Sequence, residues 1–197
     1  MSGIIGDNIG RSSGLVKSAT TTDTDNFVKL NEETFSTVSS ISFDGDFTSD
    51  YSVYRFEFKN VYTSGAGGTL RIRYRRSDSD HDGSDYRYSV ASHQFTTSAG
   101  TGHQGHLAQS YIQTGAGSTL DFGGVSGFCQ LYDPLETSFE KKCLGMFTMH
   151  DYGGGTQAYR IQSFGGILDD ATTALSGITF YPCEGTLTGT ITMFGIT

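Results

Sequence analysis

The chain predicts an all-β fold: a two-sheet β-sandwich, jelly-roll-like, carrying an extended N-terminal arm, with a closed barrel as the second reading. Three observations carry that expectation. Apolar and polar residues alternate with period two in one segment after another, the pattern of half-buried strands. Phe (14) and Tyr (11) supply the core bulk that Leu supplies in helical proteins. Gly (27) is abundant while Pro (2) and Trp (0) are scarce, so turns are many and the strands between them short. No heptads and no internal period of about 20–50 residues compete with this reading. The 197 residues suffice for one domain with a core of its own.

Residues 1–24 precede the sandwich expected over 25–197. This stretch is rich in Gly, Ser and Thr, and its apolar content is confined to Ile4, Ile5, Ile9, Leu15 and Val16. It cannot bury enough apolar surface to fold alone, so it reads as a docking arm that other chains hold in place. No apolar run of about 7–15 residues follows a basic start, so no signal peptide is expected.

The first strand is expected over Phe35–Phe43. Tyr54, Phe56 and Phe58 then alternate with Arg55, Glu57 and Lys59, and Leu70, Ile72 and Tyr74 alternate with Arg71, Arg73 and Arg75. The Gly-rich stretch Thr63–Gly68 between them reads as a flexible hairpin loop, which would set Glu57 and Lys59 opposite the arginines. Pairing is expected to continue through Tyr86, Tyr88 and Val90 beyond an acidic loop. Further strands are expected at Leu107–Gln113, Phe128–Tyr132, Cys143–His150, Ala158–Phe164, Ile178–Tyr181 and Leu187–Phe194. Thr96–Gly105 and Thr114–Gly127 read as Gly-rich surface loops, and Leu168–Leu175 as one helical turn.

Composition narrows the function classes. A net charge of −8 argues against nucleic acid, whose phosphates need a clustered basic face. No run approaches the roughly 18 apolar residues of a membrane-spanning helix, so no membrane partner is expected. Cys129, Cys143 and Cys183 are odd in number and lack a CxxC pair, which reads as buried thiols in a reducing compartment, with one disulfide as the alternative.

The sharpest local motif is Asp78-Ser79-Asp80-His81-Asp82-Gly83. Asp78, Asp80 and Asp82 match the first three ligand positions of a calcium loop, but Ser89 stands where the bidentate Glu belongs and strands flank it. The plainer reading is a solvated hairpin tip beside the arginines. Gly100-Thr101-Gly102-His103-Gln104-Gly105 fits GxGxxG, with Asp121 near the ribose-binding distance, yet no βαβ unit surrounds it. His103 and His106 have the spacing of half a metal site without its other half. Ser126 lacks the second Gly of a GxSxG elbow. Asp169 and Asp170, adjacent in sequence, would point to opposite faces of a strand. The arginine row reads either as an anion or sugar-phosphate surface or as the charged outer face of a strand. Tyr111, Tyr132 and Tyr152 read either as sugar-stacking residues or as packing. No catalytic activity and no cofactor are expected.

Two ends and a middle of the chain carry a resemblance. The opening from Ser2 to Lys17, the closing Gly189-Thr190-Ile191-Thr192-Met193-Phe194-Gly195-Ile196, and the strand-to-turn Phe128-Cys129-Gln130-Leu131-Tyr132-Asp133-Pro134 resemble small virion structural proteins of marine tailed phages. Residues 45–120 have no counterpart in it. The resemblance implies an exterior protein of the virion: a capsid decoration (cement) protein, a head fibre or a short tail fibre. A compact sandwich with an arm suits a cement protein that contacts the major capsid protein or other virion subunits and forms a homotrimer. A receptor-binding tail-fibre module is the runner-up, and a free carbohydrate-binding domain the third reading. The resemblance brings no catalytic residues.

Overall fold

The computed structural model describes residues 26–65, 68–95, 100–116, 123–153, 156–170 and 172–197, with the side chains of 100, 151–153 and 156–158 left aside. The arm, with Ile4, Ile5, Ile9, Leu15 and Val16, lies outside the described residues. Among the described residues thirteen strands form: β1 (Phe27–Val38), β2 (Ile41–Asp44), β3 (Val53–Thr63), β4 (Leu70–Arg76), β5 (Ser79–Asp80), β6 (Tyr86–Phe95), β7 (Gly100–Gln109), β8 (Ile112–Gln113), β9 (Val125–Tyr132), β10 (Lys141–Gly153), β11 (Thr156–Leu168), β12 (Gly177–Pro182) and β13 (Leu187–Ile196). No helix forms among the described residues.

The strands build two antiparallel sheets of unequal width. The wide sheet runs β1-β13-β3-β9-β10-β11-β6-β7; the narrow one runs β2-β12-β4-β5, with β8 also pairing β4. The first strands pair with the last in both sheets, β1 with β13 and β2 with β12, the nesting of a jelly-roll-like wrap. The pleat explains the core. Tyr54, Phe56 and Phe58 of β3 face Ile72 and Tyr74 of β4 and Ile178 and Phe180 of β12, and all are buried. Phe180 sits among three rings, with centroids 5.0 Å from Phe58, 5.2 Å from Phe56 and 6.3 Å from Phe43, each edge to face. Phe147 extends the cluster, 5.0 Å from Phe58 and 5.5 Å from Phe164.

Several sequence expectations are corrected here. β3 and β4 are not a hairpin: they lie in opposite sheets, and the loop between them is a crossover. Ser64 N donates to Thr186 O, and the Thr63 hydroxyl reaches the Gly65 and Gly68 carbonyls. Two fully apolar faces can share a sheet or face each other, and here they face each other. Glu57 and Lys59 therefore lie on the outer side of the wide sheet beside Thr192 and Thr190, away from the arginines. β6 likewise crosses to the wide sheet, between β11 and β7. The Phe35–Phe43 strand divides in two, because Thr37 takes a positive φ of 55° at an irregularity against β13, where its N–H donates to the Thr188 hydroxyl. The helical turn at Leu168–Leu175 is absent from the described residues there. The Asp170 carboxylate accepts the Thr172 N–H and hydroxyl, an Asx-type turn that competes with helix. Gly100–Gly105 is strand rather than loop, and it runs on into the strand expected from Leu107, which breaks after Gln109 into β7 and β8.

The outward face of the wide sheet is partly apolar. Leu144 and Met146 are 42% and 44% exposed, alternating with buried Cys143 and Phe147. Phe128 lies beside Met146 by register, under the Arg55 guanidinium at 4.0 Å. Phe27, 47% exposed, meets Phe194 at 6.3 Å and continues the band to the β1 edge.

Candidate functional site

Where the wide sheet outreaches the narrow one, a cleft of about 380 Å³ opens between β7, β6 and β11 on one side and the segment after β8 on the other. The inward face of β11 shows how it arises. Phe164 is core, but two residues on the same face presents Gln162, where the opposite sheet ends. β6 changes in the same way from Val90 to Ser92 and Gln94, and β7 contributes Gln104 beside Val90. Gln113 closes the far wall. Four carboxamides and the Ser92 hydroxyl therefore line one recess bordered by Thr69 and Thr101, with Arg160 its one charged lining residue among those described.

Two glycines keep it open. Nothing lies within 4 Å of where a Cβ would stand on Gly102, so the β7 floor is bare. Gly115, at φ +72°, lets the backbone close over Gln162: a Cβ there would stand 2.5 Å from Val90 Cγ1 and 3.2 Å from Gln162 Nε2. Gln162 is only 5% exposed, and its Oε1 has no hydrogen-bond partner. A buried acceptor without a donor is uncommon and marks a place where a partner fits.

The narrow sheet's outer face carries the arginine row, and its two halves differ. Arg75 holds Asp44 at 2.6 Å and Asp80 at 2.7 Å, and these carboxylates keep it charged against the cost of its burial. Arg76 holds Asp170 at 2.6 Å. Arg71 and Arg73 hold no carboxylate among the described residues. Arg71 lies over Tyr111 at 4.0 Å, and Arg73 lies over Tyr181 at 4.9 Å while its Nε donates to the Ser110 carbonyl at 3.0 Å. Burial pushes the Tyr181 hydroxyl above its ordinary range, against the pull of Arg73 and Arg71. Among the described residues, carboxylates thus balance only the C-terminal half of the row. Tyr111 is clamped between Arg71 and Tyr88, whose ring lies 6.1 Å away, so packing is its role in this face.

The acidic loop does not gather a ligand set. Asp80 Oδ1 is taken by Arg75 and by the Thr179 hydroxyl at 2.6 Å, while Asp78 and Asp82 are exposed. Asp78 and Ser77 take positive φ values of 62° and 48°, a tight turn, and the Asp78 carbonyl accepts from Arg75. Among the described residues no three His, Cys, Asp or Glu side chains form a metal-holding group. His103 and His106 project from opposite faces of β7, and the His106 ring packs 5.0 Å from Tyr88. Ser126 Oγ accepts the Asn60 N–H at 3.1 Å, a bulge contact. Asp169 and Asp170 do diverge, to Arg87 and Arg76. No disulfide joins Cys129, Cys143 and Cys183, and the Cys183 Sγ accepts the Thr69 N–H at 3.1 Å.

Sequence reasoning missed the cleft. Its one legible signal was a carboxamide at an inward period-two position, Gln162 two residues before Phe164. No family model, curated protein or solved structure matches this chain. No helix among the described residues is long and apolar enough to cross a membrane.

Proposed function

We propose that this chain is a structural subunit on the exterior of a phage particle, a capsid decoration protein that stabilises the head through contacts between subunits. The observation that carries the reading is the outward band of the wide sheet, Phe27, Phe128, Leu144 and Met146. An apolar strip on a sheet face fits a neighbouring subunit better than water. The resemblance of both ends to phage virion proteins supports the same reading, with the major capsid protein as partner and the homotrimer as the assembled unit. Repetition over a lattice makes many weak contacts of this kind add up.

The test is the position and copy number of the chain in an electron-microscopy map of the particle. Lattice stoichiometry over the head fits a decoration protein, few copies at the tail fit a receptor-binding module, and absence overturns the proposal. Deleting residues 2–18 is expected to leave a folded sandwich that no longer incorporates. A truncated chain that fails to fold would place the arm in the core instead.

A further inference from the structure

The geometry points to the amide-lined cleft as a binding site for one neutral sugar unit of a glycan. The inference is independent of which particle, head or tail the chain belongs to, because it rests on the cleft alone.

The chemistry of the lining selects the ligand. Gln94, Gln104, Gln113 and Gln162 each carry a C=O acceptor and an N–H donor together, and Ser92 adds a hydroxyl on the same inward face as Gln94. A pyranose ring offers the complement, since each of its hydroxyls donates and accepts at once. An apolar ligand would leave the Gln162 Oε1, already buried without a donor, still unpaired. A phosphate or sulfate offers acceptors only, so it could take the amide N–H groups and Arg160 but would leave the carboxamide oxygens, Gln162 Oε1 among them, without a donor. Nucleic acid is further disfavoured by the net charge of −8.

Shape agrees with chemistry. The volume of about 380 Å³ lies within the range of about 300–1,000 Å³ typical of small-molecule sites. The bare floor at Gly102 admits a ring, where a side chain would fill the recess. Gln162 is already fixed beneath Gly115, so its acceptor is oriented before any ligand arrives. The edge position of β7 leaves one side of the recess open, as a unit within a longer glycan requires.

The full chain is titrated with the methyl glycosides of glucose, galactose, mannose and N-acetylglucosamine, each to about 50 mM, a weak-binding range. Binding is read by saturation-transfer NMR and calorimetry, with methyl glucuronide as the anionic control. At least one neutral glycoside is expected to bind, and Gln104→Leu, on the exposed strand, is expected to weaken it at least tenfold with the melting temperature unchanged. Gln162→Leu is expected to abolish binding. Arg71→Ala and Arg73→Ala, on the other sheet, are expected to leave it intact. No transfer from any neutral glycoside would mean a recess filled by water alone and overturns the inference. Binding that survives both glutamine substitutions, or that is confined to the glucuronide, overturns it equally.

Discussion

Replacing Phe180 by Ala removes the ring at which the two sheets meet. Burying a phenyl side chain is worth about 1.5–3 kcal/mol. Phe180 also makes three edge-to-face pairs, with Phe58, Phe56 and Phe43 at 5.0, 5.2 and 6.3 Å, each worth about 0.5–1.5 kcal/mol beyond area. These rings come from strands of both sheets, so the gap cannot close by moving one element. The expected cost is about 4–5 kcal/mol, at the top of the range for Phe→Ala. At about 2–4 °C per kcal/mol for a domain of this size, melting falls by roughly 8–20 °C. The control is Phe27→Ala, whose ring is 47% exposed with one aromatic neighbour at 6.3 Å and whose loss is expected to cost about 1 kcal/mol or less. Urea unfolding followed by tyrosine fluorescence reads both, since the chain has no Trp. A Phe180→Ala cost below about 2 kcal/mol, or one equal to that of Phe27→Ala, would refute a core centred on the meeting of the two sheets.

Other outcomes follow from the same structure. The Thr172 N–H and hydroxyl, then Arg76, hold the Asp170 carboxyl down from 3.8 to about 2. Its stabilising contribution is therefore complete above its ordinary value and lost as pH falls through about 2. Asp170→Asn is expected to lower the melting temperature at neutral pH, and thermal scans across acid pH should show the gap to the parent chain narrowing. A constant gap would count against the pairing. Gly127→Ala is expected to destabilise by about 2–5 kcal/mol from strain and overpacking together. The reason is a φ of +153° in β9, where a Cβ would stand 2.1 Å from the Met146 carbonyl. Equilibrium unfolding measures this, and a neutral substitution would contradict the close β9–β10 approach. Millimolar calcium is expected to leave the melting temperature unchanged. A micromolar site would instead stabilise by about 4 kcal/mol, and a shift of that size would mean that Asp78, Asp80 and Asp82 converge on the ion.

How much of this was readable beforehand depended on what each residue's period can encode. Alternation located β3, β4, β6 and β9 to β13 because aromatics and aliphatics recur at their inward positions, interrupted in β6 and β11 only where the cleft begins. The same alternation is silent about partners. Tyr54-Phe56-Phe58 and Leu70-Ile72-Tyr74 look like neighbours joined by a glycine hairpin, and only the depth of the core shows that they face each other. β7 was hidden for a different reason. Glycines at 100, 102 and 105 deprive it of pattern, and its place at the sheet edge is set by pairing to β6 rather than by its own side chains. The cleft stayed invisible because it exists only where one sheet outruns the other, a difference in width that no single strand records. The division of the arginine row was equally hidden: Asp44 and Asp80 reach Arg75 from two other strands of the narrow sheet, and Asp170 reaches Arg76 from the segment after β11.

The position of β13 bears on how the molecule is made. It lies second from the edge of the wide sheet, holding β1 on one side and β3 on the other, yet it is synthesised after every other described strand. β1 and β3 emerge from the ribosome early and must wait, edges unpaired, for nearly the whole remaining length to appear. Closure across so long a separation is slow, and in the interval Phe56, Phe58 and their partners stand open to other nascent copies. A chain cut short before Leu187 would lose the template for two strands at once and leave β1 with nothing to pair with. The pairing of β13 thus joins an early strand on each side in a single late step.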